Sequence, residues 1–119
     1  MKIQNNKSLA SLKEEFNEVY PGLKLEFFNT VHGEFEGSVG DNIVDNNLTI
    51  KELGSKLSEG EISIEGKRTV RDLELDFEVN YGLHVQVYRL SNDLWLQTIK
   101  TDDWTLEDQN RKGLLTLKN

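Results

Sequence analysis

An internal repeat restricts this chain more than any other feature of its sequence. Ile3-Gln-Asn-Asn-Lys-Ser-Leu9 lies over Ile64-Glu-Gly-Lys-Arg-Thr-Val70, and the register runs without a gap to Tyr20 over Tyr81. One deletion opposite Pro21 then sets Gly22-Leu23 to Phe28 over Gly82-Leu83 to Tyr88. Further on, Phe35 meets Trp95, Val39 meets Ile99, Leu48-Thr49-Ile50 meets Trp104-Thr105-Leu106, and Gly60 to Ile64 meets Gly113 to Leu117. A period of this length signals repeated supersecondary units that bury their apolar faces against one another. The expectation is one domain over residues 1–119, built from pseudo-repeats at 1–60 and 61–119.

Periodicity assigns the elements. Leu9, Leu12, Phe16 and Val19/Tyr20 fall at helical spacing, and Pro21-Gly22 closes that segment. Leu23, Leu25 and Phe27 alternate with Lys24 and Glu26 as in a half-buried strand, and Leu83 to Tyr88 repeats the pattern with more β-branched residues. Residues 70–81 conflict: Leu73, Leu75, Phe77, Val79 and Tyr81 alternate like a strand, yet Val70, Leu73, Phe77 and Tyr81 also fit one helix face. The repeat decides for helix, with Leu75 and Val79 widening the buried stripe.

Four segments carry Ser or Thr followed three residues later by an acid, a helix-capping signature: Ser11 with Glu14, Thr49 with Glu52, Thr69 with Asp72, and Thr105 with Asp108. Leu48 and Leu53 would staple the second of these. Each unit then reads βαββα, a ferredoxin-like order over residues 1–65, with the strand Ile62 to Ile64 shared. A last strand is expected at Leu114 to Leu117. The fold class is α+β, one sheet with helices over one face. That last strand has no internal charge, Pro or bulge, so it is expected to pair inside the sheet or with a second chain. Monomer and two-fold homodimer both stay open.

Composition removes whole classes of function. With 21 acidic and 14 basic residues the chain carries −7, which repels phosphate and disfavours nucleic acid and anionic membrane. No Cys is present, so thiolate catalysis and Cys-ligated metals are excluded. The opening MKIQNNKSLASLKEEF has no apolar core and does not read as a signal peptide, and no apolar run reaches membrane-span length. The expected location is the cytoplasm.

Two constellations carry candidate chemistry. Asp102, Asp103, Glu107 and Asp108 could hold a divalent cation or act as an acid–base pair, but acids also gather at helix N-termini to meet free N–H groups. The aligned stretch Asp45 to Glu52 keeps the cap and loses most of the charge, which favours the capping role. His32 and His84 lack a partner at metal-ligand spacing, and Gly33, Gly37 and Gly40 form no phosphate loop, so no cofactor is expected. The second constellation is the strand face opposite the core. Lys24, Glu26 and Phe28 there match His84, Gln86 and Tyr88, and an exposed aromatic among polar neighbours suits a protein contact. Trp95 reads both ways: its counterpart Phe35 looks buried, but Leu94 and Leu96 flank it. Phe28, His84, Gln86, Tyr88 and Trp95 are the candidate binding residues.

The run Gly82-Leu-His-Val-Gln-Val-Tyr-Arg89, Trp95-Leu-Gln-Thr98, Thr101-Asp-Asp-Trp-Thr-Leu106 and Gln109-Asn110 resembles a pattern in small uncharacterised bacterial proteins. The resemblance implies a bacterial cytosolic origin and a helix before Gly82. It carries no activity and no functional residues.

Overall fold

The computed structural model describes residues 1–28, 45–52 and 59–116. His32, Gly33, Phe35, Gly37, Val39, Gly40, Leu53 and Leu117 therefore lie outside the described residues. The order is β1 (Lys2–Ile3), α1 (Leu9–Val19), β2 (Leu23–Phe28), β3 (Gly60–Glu61), α2 (Val70–Asp76), β4 (His84–Ser91), β5 (Leu94–Gln97) and α3 (Leu106–Leu115). A π-helical turn, Phe77–Tyr81, extends α2, and a 3₁₀ turn, Ile99–Thr101, follows β5. The class is α+β, as expected. No helix among the described residues is long and apolar enough to cross a membrane.

The strands form two sheets rather than the single one expected: β1 pairs with β3, and β2, β4 and β5 form an antiparallel sheet in that order. Strand β3 ends at Glu61, so Ile62 to Ile64 is not a strand, although Ile62 N–H still reaches the Met1 carbonyl (2.9 Å). Leu23, Leu25 and Phe27 stand opposite Arg89, Val87 and Val85. Leu23, Leu25, Phe27, Val85 and Val87 join Leu12, Phe16, Leu73, Phe77 and Leu106 in one buried cluster drawn from both halves of the chain. The helices thus cover one face of the three-stranded sheet.

Residues 70–81 are helical because a helix buries more than a strand could here. Val70, Leu73, Phe77 and Tyr81 all sink into the core. The π turn Phe77–Tyr81 closes the helix with both of its end residues buried. Gly82 ends the helix at φ 68°, and Leu83 N–H closes back on the Phe77 carbonyl (3.0 Å), a left-handed stop suited to glycine. Leu75 and Val79, expected to widen the buried stripe, point outward at 48% and 62% exposure. The strand-like alternation is made by those two outward residues.

Three caps form as side-chain hydrogen bonds. Thr69 Oγ1 accepts from Asp72 N–H (3.1 Å), Thr105 Oγ1 from Asp108 N–H (3.2 Å) and Thr49 Oγ1 from Glu52 N–H (3.2 Å). Glu52 returns the bond by accepting from Thr49 N–H (2.9 Å), completing a capping box. The first helix differs from expectation: Ser8, in extended backbone, caps it by accepting from Ser11 N–H, so Ser11 is a donor inside the first turn.

The caps are laced together in pairs. Ser8 bridges Thr49, and Thr69 bridges Thr105. Leu9 N–H donates to the Leu48 carbonyl (2.9 Å) and Val70 N–H to the Trp104 carbonyl (3.1 Å). Ile50 N–H donates to Lys7 (3.1 Å) and Leu106 N–H to Arg68 (2.8 Å); Lys51 N–H donates to Asn5 and Glu107 N–H to Gly66, each at 3.1 Å. The Thr69–Thr105 pair satisfies the orphan donors of the α2 and α3 starts at once, and the Ser8–Thr49 pair does the same for the α1 start and the turn at Thr49.

The expected strand at Leu114 to Leu117 is not formed, since α3 runs on to Leu115. Gly113 is the point where α3 crosses the chain at Gly22. A Cβ on Gly113 would lie 2.7 Å from the Gly22 carbonyl oxygen, and Gly22 N–H donates to Asn110 Oδ1 (2.7 Å). Glycine lets the two backbones approach, which outweighs its poor helix propensity.

Candidate interaction face

Side chains alternate across β2, β4 and β5, so the register decides what the second face, left uncovered by the described helices, presents. Lys24 stands opposite Tyr88, which stands opposite Gln97; Glu26 faces Gln86, Phe28 faces His84, and Leu90 faces Trp95. All five candidate residues, Phe28, His84, Gln86, Tyr88 and Trp95, therefore share one face. Within it, two groups separate.

The first group gathers around Lys24. Its ammonium lies 5.1 Å from the Trp95 ring centre and 5.5 Å from that of Tyr88, within cation–π range of both. Gln97 Nε2 donates to the Tyr88 hydroxyl (3.0 Å). Glu26 accepts from Lys13 (2.7 Å) and pairs with Lys24 (3.2 Å), so one carboxylate ties α1 to the rim of the face. Tyr88, Trp95 and Gln97 are half-buried, leaving ring and amide surface to solvent.

The second group departs from the expectation of exposure. Phe28 is only 5% exposed and meets the His84 ring edge-on at 6.2 Å. It is a packed residue rather than a contact residue. His84 Nδ1 is 3.7 Å from Glu78, and both lie beside Gln86 in a cavity of about 140 Å³ with Arg71 and Glu74. Trp95 takes neither extreme: it is half-buried while Leu94 and Leu96, on the other face of β5, are 64% and 44% exposed.

Glu74 has no signature in the sequence. Strand β5 leaves the sheet after Gln97, and Thr98 bonds the Val87 carbonyl through both N–H (3.3 Å) and Oγ1 (3.0 Å). The matching Val87 N–H is left without a strand, and the Glu74 carboxylate accepts from it (3.0 Å). A side chain on α2 so replaces a missing ladder carbonyl. Burial pushes the Glu74 carboxyl up to about 7, against the bond from Val87; the Asp102 charge adds to the rise and Arg71 opposes it.

The four acids near the start of α3 do not converge. Asp102 pairs with Arg71 (2.7 Å) and Asp108 with Arg111 (2.7 Å), while Asp103 and Glu107 are exposed. Among the described residues, no three His, Asp or Glu side chains are grouped to hold a metal ion. These carboxylates spread over a helix start, and two of them, Asp102 and Asp108, neutralise neighbouring arginines. No family model matches the chain, and comparisons with curated proteins and with solved structures returned no match.

Proposed function

We propose that the protein is a non-catalytic interaction or regulatory module that holds a protein partner on the uncovered sheet face around Lys24, Tyr88 and Trp95. The observation that carries this reading is the Lys24 ammonium set against two half-exposed aromatic rings, on a face with no described helix over it. Tyr and Trp anchor protein interfaces because each offers a large apolar area with few rotors to freeze. The −7 charge supports a protein over a nucleic acid as partner. A bacterial cytosolic location accompanies the reading, supported by the lack of Cys and by the resemblance of the last third of the chain. The metal-assisted or acid–base alternative on Asp102, Asp103, Glu107 and Asp108 has less support, because two of the four are already in ion pairs.

The architecture enters the same proposal. We infer that residues 1–60 and 61–119 are diverged copies, supported by the matched hydrogen bonds of the two cap pairs. On that reading the second copy kept its Tyr88–Trp95 strands as the binding surface.

The test is affinity capture from the source cytoplasm with the wild type and a Tyr88→Ala/Trp95→Ala variant. A partner held by the wild type and released by the folded double variant supports the proposal. A partner retained equally by both removes the face from consideration.

A further inference from the structure

Strand β5 ends the three-stranded sheet, and its outer edge has a specific pattern of donors and acceptors. Leu90 N–H points to Gly22 on the β2 side, whereas Val87 O takes its bond from Thr98 on the β5 side. Alternation then turns Arg89 and Ser91 toward β5, so their partners Leu96 and Leu94 spend their backbone groups on β4. The N–H and C=O groups of Trp95 and Gln97 face away from the sheet. Among the described residues they have no hydrogen-bond partner.

Edges of this kind are ordinarily blunted by charge, Pro or a bulge. Leu94-Trp95-Leu96-Gln97-Thr98 has none of them, and Leu94 and Leu96 stand 64% and 44% exposed. We propose that this edge pairs with the same edge of a second copy of the chain, antiparallel, about a two-fold axis at Leu96. Trp95 then stands opposite Gln97 of the mate and Gln97 opposite its Trp95, both as hydrogen-bonded pairs. Leu96 meets its own copy in the closer, non-hydrogen-bonded pairing. The two three-stranded sheets become one of six strands.

Charge favours a second copy of this chain as the occupant. The strand begins after Asp93 and is followed by Lys100, and neither makes an ion pair among the described residues. Antiparallel pairing brings the Asp93 end of one strand to the Lys100 end of the other, twice by symmetry. The −7 of each chain opposes association in general, so the uncharged stretch is where two copies meet with least repulsion. This inference does not rest on the uncovered face as a partner site, because the Leu96 contact lies on the helix-covered side.

The chain has no Cys, so single-thiol variants give an unambiguous readout. Light scattering across a concentration series should give a mass approaching twice 13.7 kDa for the wild type. Leu96→Lys, which sets two ammonium groups face to face at the axis, should return the monomer mass with an unchanged circular dichroism spectrum. Under mild oxidation Leu96→Cys should form an interchain disulfide much faster than Leu94→Cys, whose position faces Thr98 of the mate. A wild type that stays monomeric at every concentration overturns the proposal. So does a dimer that survives Leu96→Lys, or one in which the two thiols cross-link at equal rates.

Discussion

Each face of the three-stranded sheet sets a cation over a tryptophan, and the two pairs differ in how firmly they are held. On the helix-covered face, the Arg89 guanidinium lies 5.6 Å from the Trp104 ring centre and donates to Gln109 Oε1 (2.8 Å). Gln109 is fully buried, and its amide donates to Thr101 through the carbonyl (2.6 Å) and the hydroxyl (2.8 Å). That pair pins α3 to β4. On the uncovered face, Lys24 lies 5.1 Å from Trp95, and its ion pair goes to Glu26, which Lys13 already shares. Among the described residues no buried hydrogen-bond network fixes Trp95 from behind. The same pairing is therefore backed by a buried hydrogen-bond network on one side, although the Trp104 ring is 39% exposed, and held by surface ion pairs on the other.

The largest expected effect comes from the covered face. Phe27 is buried and meets Phe77 edge-to-face at 5.8 Å. Phe27→Ala should cost about 3–5 kcal/mol in denaturant unfolding. A loss below about 1 kcal/mol would mean that this face is not the core.

The edge between the faces comes next, through Glu74. Its folded pKa of about 7 lies above the ordinary 4.5, so the folded chain holds a proton that the unfolded chain has released between those values. Stability contributed by that proton is present below about pH 4.5 and is lost as pH rises to about 7, by at most about 3 kcal/mol. Glu74→Gln keeps an oxygen for Val87 N–H and removes the ionisation. The variant should melt above the wild type at pH 8, and the gap should narrow toward pH 5. Parallel pH profiles would show that Glu74 is not the titrating group.

Smaller again are the caps. Thr69→Ala removes the acceptor for Asp72 N–H and should cost about 1 kcal/mol. Ser8→Ala should cost a similar amount if the two cap pairs are equivalent, since Ser8 accepts from Ser11 N–H in the same way. Unequal losses measured by thermal unfolding would separate the two halves.

What could be read in advance depended on how local its cause was. The strands at Leu23 to Phe28 and Leu83 to Tyr88, the Thr69 and Thr105 caps and the helix over 70–81 follow from side-chain period and neighbouring hydrogen bonds. Comparing the two halves was needed for the last of these, because Leu75 and Val79 imitate a strand while pointing to solvent. The strand expected at Leu114 to Leu117 was misread because α3 continues through Gly113, whose close approach to Gly22 is set far away in the chain. Glu74 had no local signal at all: its task exists only because the chain leaves the sheet at Thr98. In the candidate face, alternation put Lys24 and Tyr88 on one side of the sheet, but Trp95 read both ways, and its place beside Lys24, like the burial of Phe28, depends on packing that no period reports.

The chain has two tryptophans, one on each face, and they make the most direct test. In an NMR titration of the wild type with a captured partner, at constant protein concentration, the two indole N–H signals report the two faces separately. The account predicts that the Trp95 signal shifts or broadens while the Trp104 signal stays in place. Movement of Trp104 with Trp95 unchanged would contradict it and assign binding to the helix-covered side.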